Sequence, residues 1–151
     1  MINCLDHIAV VSNRADALFS SYERLGFVLT PLSMHRGSVK PGEPPVPWGT
    51  GNRCAMFRAG YLELLAIIDP TIYCGVFPDL LERYEGLHIL AFGCDDARAE
   101  EARLARSGME GLGIITLQRE LETPDGTGLA RFSLVRLAPE LSPEGRLNII
   151  Q

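Results

Sequence analysis

The feature that most restricts how this chain can fold is that its second half repeats the first. The run "LDHIAV" has a counterpart in "GLHILA", which sets His7 against His88, 81 residues on (7 to 88). Gly26-Phe27 and Gly108-Met109 stand 82 apart (26 to 108), and "GYLELLAI" returns as "GRLNII", 85 on (60 to 145). Three anchors in the same order, with so small a drift in spacing, mark an internal duplication. Two such copies are expected to share one core. The 151 residues suit a single domain.

Each half reads as strand, helix and three strands. In the first, "CLDHIAVV" is a strand, and "SNRADALFSSYERLGF" is a helix capped by Ser12 or Asn13 and stopped at Gly26. Ala15, Leu18, Phe19, Tyr22 and Leu25 share one helical face. "FVLTPL" is the expected second strand. "SMHRGSVKPGEPPVPWGTGN", with four prolines and four glycines, is expected to be a long loop. "RCAMFRAGYLELLAII" is a hairpin turning at Ala59-Gly60. Residues 69–85 form a linker with a short helix near 78–85, which divides the domain into modules of about 1–68 and 86–151. In the second half the strand "GLHILAFGC" leads to the helix "ARAEEARLARSGM", capped by Asp95 or Asp96 and ended by Gly108. "GIITLQRELET", the turn "PDGTG", "LARFSLVRLA" and "RLNIIQ" complete it.

The balance of charge narrows the partners. A net charge of -5 without any Lys/Arg run argues against nucleic acid. No apolar run approaches the ~20 residues of a membrane-spanning helix. "MINCLDHIAVV" lacks a basic leader, and Cys4, Cys54, Cys74 and Cys94 are too scattered for a C-x-x-C pair. Reduced thiols in a cytoplasmic protein are expected.

Against that background Glu63 stands out. It lies inside "GYLELLAII", where an ionised carboxylate costs several kcal/mol unless something pairs with it. Strand alternation puts Leu62, Leu64, Ala66 and Ile68 on one face and Tyr61, Glu63, Leu65 and Ile67 on the other. His7 and His88, at matching places in the two leading strands, are expected to converge on Glu63. The alternative is that each histidine is a core residue and Glu63 reaches solvent.

With these residues in view, the sequence resembles the vicinal oxygen chelate superfamily, and within it the glyoxalase-like domains. The resemblance rests on "LDHIAV", "GTGNRCAMFRAGYLELLAI", "EGLHILAFGCDD" and the paired strand-helix-three-strand units. It implies an α+β fold of two βαβββ modules, whose sheets curl into an open barrel around a divalent metal, with helices outside. It further implies metal ligands on the first and last strands of each module, at His7, Glu63, His88 and Asn148. Asn148 departs from the carboxylate that acts as proton-transfer base in glyoxalases, since an amide is no general base. Glu63 is then the candidate catalytic carboxylate. Two histidines and one carboxylate suit Fe, Mn, Zn or Ni.

Around the long loop, His35, Trp48, Asn52 and Arg53 are candidate substrate-binding residues, with Arg53 poised for an anionic substrate. Arg131 and Arg136 read as solvated charges on a sheet face. The expected function is metal-dependent chemistry on a small oxygenated substrate, of glyoxalase, lyase, isomerase or dioxygenase type. The alternatives are a metal-free, drug-sequestering binder of the same fold and a dimerising domain of a longer chain. A homodimer is expected, and the short stretch after "SPEG" suggests a chain truncated at its C-terminus.

Overall fold

A computed structural model describes residues 1–109, 111–123 and 126–151; the side chains at 119–123 and 127 lie outside the description. Among the described residues eight strands run in the order β1 (Ile2–Ser12), β2 (Ser33–Gly37), β3 (Val46–Met56), β4 (Tyr61–Ile67), β5 (Gly86–Cys94), β6 (Gly111–Thr123), β7 (Gly126–Leu137) and β8 (Arg146–Ile150). Helix α1 (Ala15–Arg24) follows β1, α2 (Phe77–Leu81) lies between the halves, and α3 (Ala97–Arg106) follows β5. The strands hydrogen-bond around a closed barrel in the order β1-β4-β3-β2-β6-β7-β8-β5. Each half contributes the same arrangement, with its first strand parallel to its last. Antiparallel pairs β1-β5 and β2-β6 join the two halves.

Alternation along β4 sorts its side chains as the pattern requires. Leu62, Leu64 and Ala66 pack outward against Leu18 and Phe19 of α1. Cys94, Ala97, Leu104, Val135 and Ile149 form the equivalent cluster under α3. A third cluster of Ala9, Val11, Leu65, Phe77 and Ile89 joins α2 to the two leading strands. Asp96 caps α3 by accepting from the Ala99 amide. Helix α1 differs from expectation at both ends. Its N-cap is Arg14 without a side-chain cap, Ser12 Oγ instead accepting from the Arg14 amide, and Leu25 is 73% exposed past the last turn.

The larger correction concerns residues 27–52. "FVLTPL" makes only an isolated bridge between Leu29 and Ala55, and the second strand is Ser33–Gly37. The expected long loop is mostly strand, leaving only 38–45 between β2 and β3. Gly37, Gly49 and Gly51 mark close approaches of neighbouring chain, and only Gly42, at φ +82 with nothing near it, serves a turn. A Cβ on Gly49 would stand 1.9 Å from the Asp69 carbonyl oxygen, and one on Gly37 would meet the Trp48 ring at 2.8 Å. The expected β3-β4 turn is present, with Gly60 at φ +74, where a side chain would be strained. Of the expected turn "PDGTG", Pro124 and Asp125 lie outside the described residues.

Candidate active site

Glu63 points into the barrel because its strand neighbours Leu62 and Leu64 are drawn out under α1. It is 7% exposed. The Asn52 side-chain amide, from the adjacent β3, donates to Oε1. Two imidazoles flank the carboxylate: His7 Nε2 lies 3.7 Å from Oε2, and His35 Nε2 lies 3.7 Å from Oε1. Each ring is held by its other nitrogen. His7 Nδ1 is 2.6 Å from Asp6 Oδ1, and His35 Nδ1 is 2.9 Å from Thr50 Oγ1. His7 also stacks on Tyr61, with ring centroids 4.4 Å apart. Asp6 reaches its neighbour's ring because β1 carries a register shift between Leu5 and His7, where one residue is extra. An imidazole fixed by a carboxylate at Nδ1 presents Nε2 for proton transfer.

The second half builds a different wall. Asn148 occupies the place of Glu63: Ala9 pairs with Glu63 across β1-β4, and Ala91 pairs with Asn148 across β5-β8. That correspondence, 82 residues in the leading strands (9 to 91), sets Ile89 and not His88 opposite His7. His88 is the extra residue of a bulge in β5, since Ala9 pairs with Ile89 and Val10 with Leu87. One step of register reverses the face of a strand side chain. His88 is therefore absent from the cavity wall; it is 2% exposed, stacks on Tyr84, and its Nε2 lies 2.8 Å from the Tyr84 carbonyl oxygen. The expectation that His88 joins His7 and Glu63 is corrected accordingly.

Opposite Glu63 the cavity is lined by Arg136 from β7 and by Arg146 and Asn148 from β8. Arg136 is 7% exposed, contrary to its reading as a solvated charge, whereas Arg131 is exposed. Among the described residues, Arg136 Nε and Nη2 and Asn148 Oδ1 have no hydrogen-bond partner. Burial lowers the pKa of Arg136, offset in part by the Tyr73 hydroxyl. Arg146 retains some exposure as a residue, but its guanidinium is sunk over the Phe77 ring, 5.4 Å from the centroid. Burial, with Arg136 adding repulsion, pushes its pKa down to about 9.

The cavity measures about 90 Å³. A buried water needs roughly 10–15 Å³ on this measure, so there is room for roughly six to nine water-sized groups, the bulk of a small organic acid. Trp48 lines the wall, buried, with its indole N–H donating to the Gly37 carbonyl. Arg53 does not reach the cavity. It donates to Glu23 and to the Thr30 carbonyl over the ring of Phe19 on the outer face, because it alternates with Asn52 along β3. Of the residues singled out in the sequence, His7, His35, Trp48, Asn52, Glu63 and Asn148 meet in one cavity, and His88 and Arg53 do not. Arg136 and Arg146 were missed. Arg146 was readable as the repeat partner of Tyr61, two places before Asn148 on the inward face of β8.

A model of the glyoxalase-like domain matches residues 5–150. The chain belongs to this family. Among solved structures, a variant of Streptomyces coelicolor methylmalonyl-CoA epimerase in complex with 2-nitronate-propionyl-CoA matches with a TM-score of 0.66 at 18% identity, covering 99% of this chain and 94% of that one. The Mycobacterium tuberculosis methylmalonyl-CoA epimerase matches with a TM-score of 0.63 at 16% identity, covering 99% and 87%. A hypothetical protein of Bacillus halodurans matches with a TM-score of 0.64 at 15% identity, covering 97% and 91%. Identities this low establish the shared fold alone. A search of curated proteins finds no match.

The four places where the family resemblance implies metal ligands do not suit a divalent ion in this glyoxalase-like domain. His7 and Glu63 are present, but His88, the ligand implied on β5, is absent from the cavity wall, where Ile89 stands instead, and the β8 place is the amide Asn148. His35 adds a nitrogen, yet it and His7 face different oxygens of Glu63. Among the described residues, no group of three or more His, Cys, Asp or Glu side chains could hold a metal ion. Two guanidiniums on the same cavity also oppose a dication.

Proposed function

We propose that this glyoxalase-like protein is a proton-transferring enzyme, of isomerase or lyase type, acting on a small oxygenated substrate without a metal ligand set of its own. The observation that carries this reading is the buried Glu63 carboxylate with His7 Nε2 3.7 Å away and Asp6 fixing the far side of that ring. Glu63 takes a proton from a carbon beside a carbonyl, and the C–H electron pair moves onto the carbonyl oxygen. His7 Nε2 is placed to carry that proton onward, and the apolar walls of Leu65, Phe77, Phe132 and Leu134 exclude water from it. His35 and Asn52 hold the carboxylate in position.

The test follows hydrogen–deuterium exchange by NMR in D₂O, using small 2-oxo and hydroxy-oxo carboxylic acids. Wild type should exchange the hydrogen beside the carbonyl, with or without a chelator. Glu63→Gln should be slower by about 10²-fold or more, the usual contribution of a general base. Absence of exchange in wild type counts against the enzyme and favours the metal-free binder, for which the apolar lining speaks. Exchange only on addition of Mn, Zn or Fe(II) favours the metal-dependent reading.

The proposal extends to setting. All four cysteines are free thiols, which suits a reducing cytoplasm. No helix among the described residues is long and apolar enough to cross a membrane. Exposed Val28, Leu32, Met34 and Phe57 on the first module give a homodimer apolar surface to cover.

A further inference from the structure

The wall facing Glu63 contains buried donors with nothing to donate to. Arg136 Nε and Nη2 lack a partner among the described residues, although the side chain is more than nine-tenths buried and lines the cavity. Arg146 shares that cavity, two places from Asn148 on the inward face of β8, and Asn148 pairs with Arg136 across β7-β8. The three side chains thus form one cluster. A buried guanidinium left with open N–H groups is costly, and the usual remedy is a carboxylate from the protein. The only carboxylate among the described cavity-lining residues is Glu63, already taken by Asn52 and flanked by two imidazoles. Two guanidiniums against one carboxylate leave the chamber one negative charge short, and exposed Arg36 adds further positive charge to the lining.

We propose that Arg136 and Arg146 are the seat of a substrate carboxylate, and that the substrate class is a small hydroxylated carboxylic acid. The planar guanidinium fork matches a carboxylate in two-point geometry, which an amide or alcohol does not reproduce. The hydroxyl follows from Asn148, whose unpaired Oδ1 needs a donor beside that seat. A volume of about 90 Å³ limits the enclosed part to a few carbons. This inference deepens the proton-transfer reading and rests on it for what happens at the far end of the ligand, beside Glu63. The clamp itself is testable by binding alone.

The experiment is thermal unfolding of wild type, Arg136→Met and Arg136→Lys with lactate and glycerate as probes, lactamide as the uncharged control and inorganic phosphate as the competing oxyanion. Lactate and glycerate should raise the wild-type Tm saturably at millimolar concentration, lactamide should not, and phosphate should do less. Arg136→Met should bind at least tenfold more weakly, with Arg136→Lys intermediate because it keeps the charge and loses the fork. Both variants should unfold cooperatively without ligand. A wild type indifferent to both acids overturns the proposal, as does equal binding of lactamide or stronger binding of phosphate. Carboxylate binding without deuterium exchange in any acid would keep the clamp and remove the proton-transfer reading. Exchange unaffected by Arg136→Met would do the reverse.

Discussion

Replacing Arg136 with Met should make the ligand-free protein more stable, which is unusual for a change at a residue 7% exposed. The two unpartnered nitrogens, Nε and Nη2, each forfeit solvation worth about 1–3 kcal/mol. Methionine removes that penalty while its unbranched chain fills the space of the arginine stem. Against this stands the loss of the Tyr73 hydroxyl contact, a charged hydrogen bond worth about 1.5–3 kcal/mol. The net expectation is a gain of about 1–3 kcal/mol, in line with the replacement of buried charges by apolar side chains. For a chain of this length that corresponds to a rise in Tm of roughly 2–12 °C. Urea unfolding gives the free energy directly, and an unchanged m-value would show that the unfolded state is not responsible. A loss of about 3–5 kcal/mol would refute the reasoning, because that is the cost of orphaning the partner of a buried ion pair. The guanidinium would then be satisfied already, with no vacancy for a ligand.

Other substitutions separate structural from chemical roles. His88→Asn should cost about 1–3 kcal/mol in urea unfolding, through the lost contacts with Tyr84, yet leave carboxylate binding unchanged. Glu63→Gln should slow exchange by about 10²-fold or more but move stability by less than about 1 kcal/mol, since relief of desolvation offsets the weaker bond from Asn52. Gly49→Ala should destabilise by more than about 3 kcal/mol, because its Cβ would meet the Asp69 carbonyl oxygen at 1.9 Å. Burial raises the pKa of the Cys74 and Cys94 thiols, so a thiol reagent at neutral pH should react quickly with exposed Cys4 alone, and Cys4→Ser should remove that fast phase.

The sequence carried the βαβββ duplication and the inward aim of Glu63, because both depend on periodicity. What it obscured depends on register and on close approach. The histidine match at a spacing of 81 pointed to His88, whereas the helix-ending glycines at 82 carried the true offset. The difference is one bulged residue, enough to take His88 out of the cavity wall and let Ile89 stand there. Glycine in "GTGN" resembled loop chemistry, yet Gly49 and Gly51 sit mid-strand where neighbouring backbone and side chains crowd the Cα. That misreading placed His35 on a loop, although β2 carries it to Glu63. Arg136 resembled any charged residue on a sheet face; only barrel closure makes that face an interior.

In the proposed mechanism one wall of this barrel transfers protons and the opposite wall seats a carboxylate. A crystal structure of the protein grown with glycerate and a divalent metal salt tests it most directly. The glycerate carboxylate should lie on Arg136 and Arg146, with its hydroxyl donating to Asn148 Oδ1 and no metal at Glu63. A metal ion on His7, His35 and Glu63, with the carboxylate away from both arginines, would contradict it.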